Sequence, residues 1–474
     1  MSRTGGTAGR LAWLDALRGF AALCVVFDHG STLLLRPARD FLYQWLNLGQ
    51  YGVFVFFLVS GYIVPASLER KGSLGAFWAS RAFRLYPMYA AAIALAAAAY
   101  WTGHGTLRGA ENHPGTSAAS WLLMLPNLLA GPNVPNVVWT LSYEMVFYLL
   151  LAALFAWGVH RHSGGYALTW AAVAVALGGV LPMAALTHWA RHSANGPLAL
   201  DVGADALIIG GIVLAVFGAR QAARAGTALA ALTALILVTV NQGSPYPWSG
   251  SVILALMFTG TLIYRAEQGQ TPRIRAAVTA VAVLGLVTVA GVWHGAPHGS
   301  QWQVQWVSSV LLAAATFGAG MAVRNRRVPR AAAWLGVISY SVYLLHPLAF
   351  DAYRSVPALH RTHTMPVQVA MFAAIVAVLV AASAVTYYLI EKPMQRIGRR
   401  VARYARAEAA EAAEAVAPAE AVAPAEAAEA VAPAEAAEAA EAVGASAAGL
   451  SAGPTAARST SSSSTVAGGS GGSP

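Results

Sequence analysis

Charge is scarce in this sequence. Asp, Glu, Lys and Arg make up 11% of its 474 residues, against about 25% in a soluble globular protein. With 57% hydrophobic residues and a mean hydropathy of +0.55, the few charges cannot cover the surface of a soluble protein of this size. That excludes a soluble enzyme and a mostly disordered chain, and leaves many membrane spans. Cysteine is nearly absent as well. A lone Cys24 excludes an intrachain disulfide framework and a Cys-based zinc site, and no metal site is expected. The sequence also lacks a convincing internal repeat, the feature that favours an inverted-repeat transporter. Asp15 and Arg18 interrupt the first apolar stretch, so it does not read as a cleavable signal.

The average composition hides two objects. Residues 408–441 repeat Ala, Glu, Val and Pro, and residues 442–474 are mostly Gly, Ser, Ala and Thr. Nothing there builds a core, so 408–474 reads as a disordered tail without a second catalytic domain. Prolines at 418, 424 and 433 interrupt any helix in the Ala-Glu blocks. The tail carries nine Glu and one Arg, net −8, which leaves residues 1–407 with 29 Lys and Arg against 11 Asp and Glu, net +18.

A membrane-spanning helix needs about 20 mostly apolar residues. Twelve candidates lie near 12–34, 48–68, 83–103, 136–158, 166–187, 202–219, 226–241, 250–266, 276–294, 304–323, 334–352 and 367–390. With the N-terminus inside, the cytoplasmic segments hold 22 Lys and Arg and the outer segments six. That asymmetry supports an even count and two cytoplasmic termini. The expected fold is all-α: a polytopic bundle of about 10–12 transmembrane helices in the cell membrane, in contact with the lipid bilayer. Topology accounts for most of the basic charge, so nucleic acid is not an expected partner.

An ionisable residue inside a span costs roughly 2.5–3.5 kcal/mol at its centre, so each one is a functional candidate. In the first span Arg18 and His29 are eleven residues apart, close to three helical turns, and share a face. Asp28 points about 100° away from His29. Arg18 snorkelling and His29 capping a helix end is the plainer alternative. Arg81 and Arg84 are i, i+3 neighbours suited to a phosphorylated ligand, or to anchoring the helix at the inner interface. Glu144 interrupts the fourth span, with Trp139 before it and Tyr148 one turn on. It needs a partner, and a structural ion pair with Arg18, Arg81 or Arg84 is one option. Ser339, Tyr343 and His346 form one polar stripe on the eleventh span, for an acceptor or for packing between helices. Asp201 and Asp205 fall at the outer edge of the sixth.

Six segments in order, LDALRGFAALCVVFDH (14–29), FFLVSGYIV (56–64), RAFRLYP (81–87), WTLSYEMVFY (139–148), LGVISYSVYLLHP (335–347) and IEKP (390–393), resemble the acyltransferase 3 family of integral membrane acyltransferases. The resemblance covers about residues 11–395. It departs at Ala16, where the family usually has Gly, and in having one or two spans beyond the common ten. The resemblance implies transfer of an acyl group, often acetyl, from acyl-CoA to a hydroxyl of a carbohydrate or glycosylated metabolite, with acyl-CoA as substrate and no bound cofactor. It makes His29 the essential histidine, Arg18 the arginine before it, Arg81 and Arg84 the paired donor-binding arginines, and Glu144 and Tyr148 part of the catalytic set. His29 is then the expected general base. Two other classes share the many spans: a transporter or flippase for a lipid-linked or glycosylated molecule, and a membrane scaffold.

Overall fold

The computed structural model describes residues 6–243, 245–357 and 364–416, with side chains described between 12 and 407. Among the described residues every regular element is helical. Ten helices are long and apolar enough to cross a membrane, and the chain is a multi-pass membrane protein.

The N-terminal part comprises α1 (Gly6–Leu34), the short α2 (Arg36–Tyr43), α3 (Leu48–Lys71) and α4 (Leu74–Trp101). Asn47 caps α3 by accepting from the Gln50 amide at 2.9 Å. α3 ends at Gly72, whose φ of 65° closes the helix in the left-handed conformation that glycine adopts without strain. Ser73 then caps α4. This tight turn starts α4 nine residues before the expected 83. Arg81 and Arg84 therefore sit two to three turns inside a helix, rather than at its mouth.

After a loop with the short α5 (Pro114–Leu122) come α6 (Trp139–Ala156), α7 (Ser163–Leu177), α8 (Ala185–Ala190), α9 (Gly196–Phe217), α10 (Arg220–Val240), α11 (Ser249–Glu267), α12 (Arg273–His294) and α13 (Ser300–Ala322). The expected fifth span is only partly realised. α7 is 15 residues long, because Gly178, Gly179 and Pro182 stop it short of a full crossing. α9 begins six residues before the expected 202, so Asp201 and Asp205 lie inside it and are buried. Asp201 Oδ1 accepts from the Ala130 amide at 3.0 Å.

The expected eleventh span is a bent pair, α14 (Arg330–Val337) and α15 (Ser339–Arg354), crossing at 67°. Ser339 Oγ donates to the Gly336 carbonyl at 2.8 Å across the bend. The last span, α16 (Met365–Thr386), passes through a π-helical turn, Tyr387–Glu391, into α17 (Lys392–Val416). α17 runs past the expected boundary at 407 and ends two residues before Pro418. Residues 417–474, most of the expected tail, and Arg361 lie outside the described residues.

The centre of the bundle is formed by α3 and α11, 83% buried over their apolar windows, and by α6 at 78%. Helices that are apolar all round fit such positions. Gly61 and Gly260 let α3 and α11 meet backbone to backbone: a Cβ on Gly61 would run into the Met257 backbone, and one on Gly260 into the Leu58 carbonyl. Thr261 Oγ1 adds a 2.8 Å hydrogen bond to the Gly61 carbonyl. α1 packs against both α3 and α14, and a Cβ on Gly336 would strike the Asp15 backbone.

Candidate active site

His29, on α1, and His346, on α15, meet inside the bundle. His29 Nδ1 lies 2.8 Å from His346 Nε2, with the ring centroids 4.9 Å apart. His346 is fully buried, with no exposed surface. Its other nitrogen, Nδ1, is buried and has no hydrogen-bond partner among the described residues. The bend between α14 and α15 makes the encounter possible, because it lets α14 pack on the first half of α1 while α15 turns toward His29.

His29 borders a cavity of ≈ 220 Å³. One wall is aromatic, with Trp139, Tyr246, Trp302 and Trp306. The Trp302 and Trp306 rings stack at 5.3 Å, and the Trp302 Nε1 donates to the Tyr246 hydroxyl at 2.8 Å. The other wall is polar, with Asp28, Asn47, Gln50 and Ser249. Asp28 is 9% exposed and interacts with the Tyr43 hydroxyl and the Gly49 amide. Burial, followed by the neighbouring Asp28 charge, pushes the Tyr43 hydroxyl up to about 12, so it remains a proton donor at neutral pH. The second Asp28 oxygen, Oδ1, has no protein partner.

A second recess of ≈ 60 Å³ holds Arg18, Arg81, Arg84 and Glu144. It shares Val53 and Tyr343 with the histidine cavity, so these two residues stand between the two. The Tyr343 hydroxyl is fixed there by Thr140 Oγ1 at 3.0 Å and the Val137 carbonyl at 3.3 Å. Arg81 is 6% exposed, and its guanidinium lies 5.3 Å from the Tyr148 ring centre and 5.6 Å from that of Phe77. Such a stacked cation keeps its hydrogen-bonding edge available, and Arg81 Nε has no partner. Tyr148 donates to Glu144. Among the described residues no carboxylate stands within 4.0 Å of Arg18, Arg81 or Arg84. The recess is a cationic chamber whose charges are not used up in ion pairs.

The six motifs fall on these helices in chain order, and the acyltransferase domain family matches residues 11–388. The chain belongs to the acyltransferase 3 family. Curated relatives carry matching regions. Acyltransferase MdmB of Streptomyces mycarofaciens is 33% identical over 30% of this chain and 38% of its own. Nodulation protein 10 of Rhizobium leguminosarum bv. viciae is 28% identical over 34% of this chain and 48% of its own. Putative acetyltransferase ORF330 of Acidianus two-tailed virus is 31% identical over 28% of this chain and 38% of its own. The chain thus matches less than half the length of each of these relatives. No solved structure matches it.

Within this acyltransferase 3 chain, the structure brings together most of the residues singled out from the sequence. Arg18, Arg81, Arg84 and Glu144 line one recess, Tyr148 supports it, and His29 and Trp139 line the neighbouring cavity. Glu144 is bonded to Tyr148 and forms no ion pair with an arginine. The polar stripe divides: Tyr343 and His346 belong to the site, whereas Ser339 serves the α14–α15 bend. Asp201 and Asp205 belong to neither cavity. Sequence reasoning missed two residues. Asp28 lines the His29 cavity, although its 100° offset from its neighbour argued for a different face. Glu391, of the IEKP segment, is buried and accepts from Ser341. The π-helical turn shifts the register just before it, which a regular 3.6-residue pattern does not anticipate.

Proposed function

We propose that this protein is an integral membrane O-acyltransferase that moves an acyl group, acetyl above all, from acyl-CoA to a hydroxyl of a carbohydrate or glycosylated metabolite. The observation that carries the reading is the pair of adjacent cavities that share Val53 and Tyr343, with a histidine pair beside one and unpaired arginines in the other. Arg18, Arg81 and Arg84 hold donor phosphates, for which guanidinium groups are matched in charge and geometry. The thioester arm passes Val53 and Tyr343 toward His29. The acceptor occupies the larger cavity, where aromatic rings offer a face for a sugar ring and Asp28, Asn47 and Gln50 offer hydrogen bonds.

The histidine pair supplies the base. With its own proton on Nδ1, His346 presents an unprotonated Nε2 and accepts from His29 Nδ1–H. His29 Nε2 is then the free lone pair. It removes the proton of the acceptor hydroxyl as that oxygen attacks the thioester carbonyl carbon. The C–S bond breaks, and the departing CoA thiolate takes the proton back from His29. The ester and free CoA are the products. Glu144 and Tyr148 hold Arg81 in place.

The excess of Lys and Arg on alternate segments supports a cell-membrane topology with both termini cytoplasmic, in which α7 and the segment after it together make the fifth crossing. The arginine recess then lies toward the compartment that makes acyl-CoA.

The test is acceptor-dependent release of CoA from acetyl-CoA by membranes carrying wild type or His29→Ala at equal expression, with the products weighed by mass spectrometry. The reading requires CoA release with the wild type and its loss with the variant. Translocation of an acceptor without consumption of acetyl-CoA would instead identify a transporter.

A further inference from the structure

The arginine recess has an outer neighbour. Lys71 closes the last turn of α3, and its Nζ donates to Ser67 Oγ at 3.2 Å and to Ser80 Oγ. Ser80 spends its own proton on the Phe77 carbonyl at 2.8 Å, so its lone pairs face the lysine. An ammonium group has three N–H donors, and the third is left over. The nearest charges are Arg81, Arg84 and Arg70, all of the same sign. The adjacent Glu69 is committed to Arg265 at 2.7 Å. A partly buried lysine held by two hydroxyls among like charges, with no carboxylate within 4.0 Å among the described residues, is arranged for an anion from outside the chain.

α3 orders the subsites. Gln50 and Val53 border the His29 cavity, Val53 to Val64 border the arginine recess, and Ser67 and Lys71 follow. Val53 and Lys71 are 18 residues apart, about 27 Å along a helix. CoA has the same sequence of parts, with the thioester first, then the pantetheine arm, the diphosphate, and last the phosphomonoester on the ribose. We propose that Lys71, held by Ser67 and Ser80, is the subsite for that terminal 3′-phosphate, outward of the diphosphate held by Arg18, Arg81 and Arg84. The proposal rests on the recess being the donor site, and it adds what selects the intact nucleotide end of the donor.

The test is equilibrium binding of CoA and of 3′-dephospho-CoA to the purified full-length protein in lipid nanodiscs. A charged hydrogen bond contributes about 1.5–3 kcal/mol, or roughly ten-fold or more in affinity. Wild type should therefore prefer CoA by that factor. Lys71→Gln should bind CoA no better than 3′-dephospho-CoA while keeping wild-type affinity for the latter, and Lys71→Arg should restore most of the preference. Arg81→Ala with Arg84→Ala should weaken both ligands. An unchanged preference in Lys71→Gln, or equal loss of both ligands through a structural defect, overturns the Lys71 subsite and leaves the arginine site standing. Failure of wild type to bind either ligand, or no effect of the double arginine variant, overturns the donor-site reading itself.

Discussion

His29 and His346 are 317 residues apart in the chain and 2.8 Å apart in space. Each ring limits the proton positions of the other. His346 touches neither donor nor acceptor in the proposed reaction, so it is a positioning residue. His346→Ala should lower kcat by roughly 10²-fold, within the range for loss of acid–base alignment, with little change in the KM for acetyl-CoA. Steady-state rates of CoA release check this. An equal rise in KM would mean a collapsed site.

The packing of Glu144, Tyr148 and Arg81 predicts a different signature. Tyr148→Phe keeps the ring under the guanidinium and removes only the hydroxyl bonded to Glu144. It should cost about 0.5–1.5 kcal/mol in donor binding, the usual net value of one hydrogen bond. Arg81→Lys loses the stacked planar fork and should weaken CoA more than Tyr148→Phe does. Titration of CoA into each purified variant ranks the two.

The contact between α3 and α11 is sensitive to a single carbon. Gly61→Ala places a Cβ against the Met257 backbone, where no flexible side chain can yield. Overpacking of this kind costs about 1–3 kcal/mol. The variant should unfold at a lower temperature in detergent, measured by intrinsic fluorescence of the tryptophans. An unchanged melting temperature would show that the two helices separate without cost.

Arg265 is wholly buried and donates to Glu69 at 2.7 Å, to Gln270 at 2.6 Å and to Ser163 at 2.8 Å. Glu69→Ala strands that charge and should destabilise by about 3–5 kcal/mol. Glu69→Ala with Arg265→Met should recover much of the loss, and a double-variant cycle on thermal stability reads the coupling. His160 Nε2 lies 3.8 Å from Glu69. Burial, and then the nearby Arg265 charge, holds the His160 ring below its ordinary pKa. The folded form thus binds a proton less readily than the unfolded chain. Its contribution to stability is present above about pH 6.5 and declines as pH falls through the unfolded value. His160→Gln should flatten that decline in a melting series from pH 7.5 to 5.

Much of the site was legible in the sequence because charge is so rare in it. Arg18, Arg81, Arg84 and Glu144 stand out as interruptions of apolar runs, and all four line one recess. The i, i+4, i+7 stripe drew attention to Tyr343 and His346, but no local spacing reveals a contact across 317 residues. Lys71 was hidden for the opposite reason. It sits among arginines that topology alone explains, so the hydroxyls that accept from it had to be seen in three dimensions. The spans were legible by length and hydropathy. Their exceptions followed from backbone chemistry at Gly178, Gly179 and Pro182, and from the break at Ile338, which leaves no apolar gap in the sequence.

That break has a mechanical consequence. α14 grips α1 at Asp15 through the small surface of Gly336, and α15 meets α1 again at His29, fourteen residues further on. The bent pair is thus a two-point clamp on a single rod. A slide of α1 by one residue along its axis disengages both points at once, so the alignment of the histidines is fixed by a contact four turns away from them.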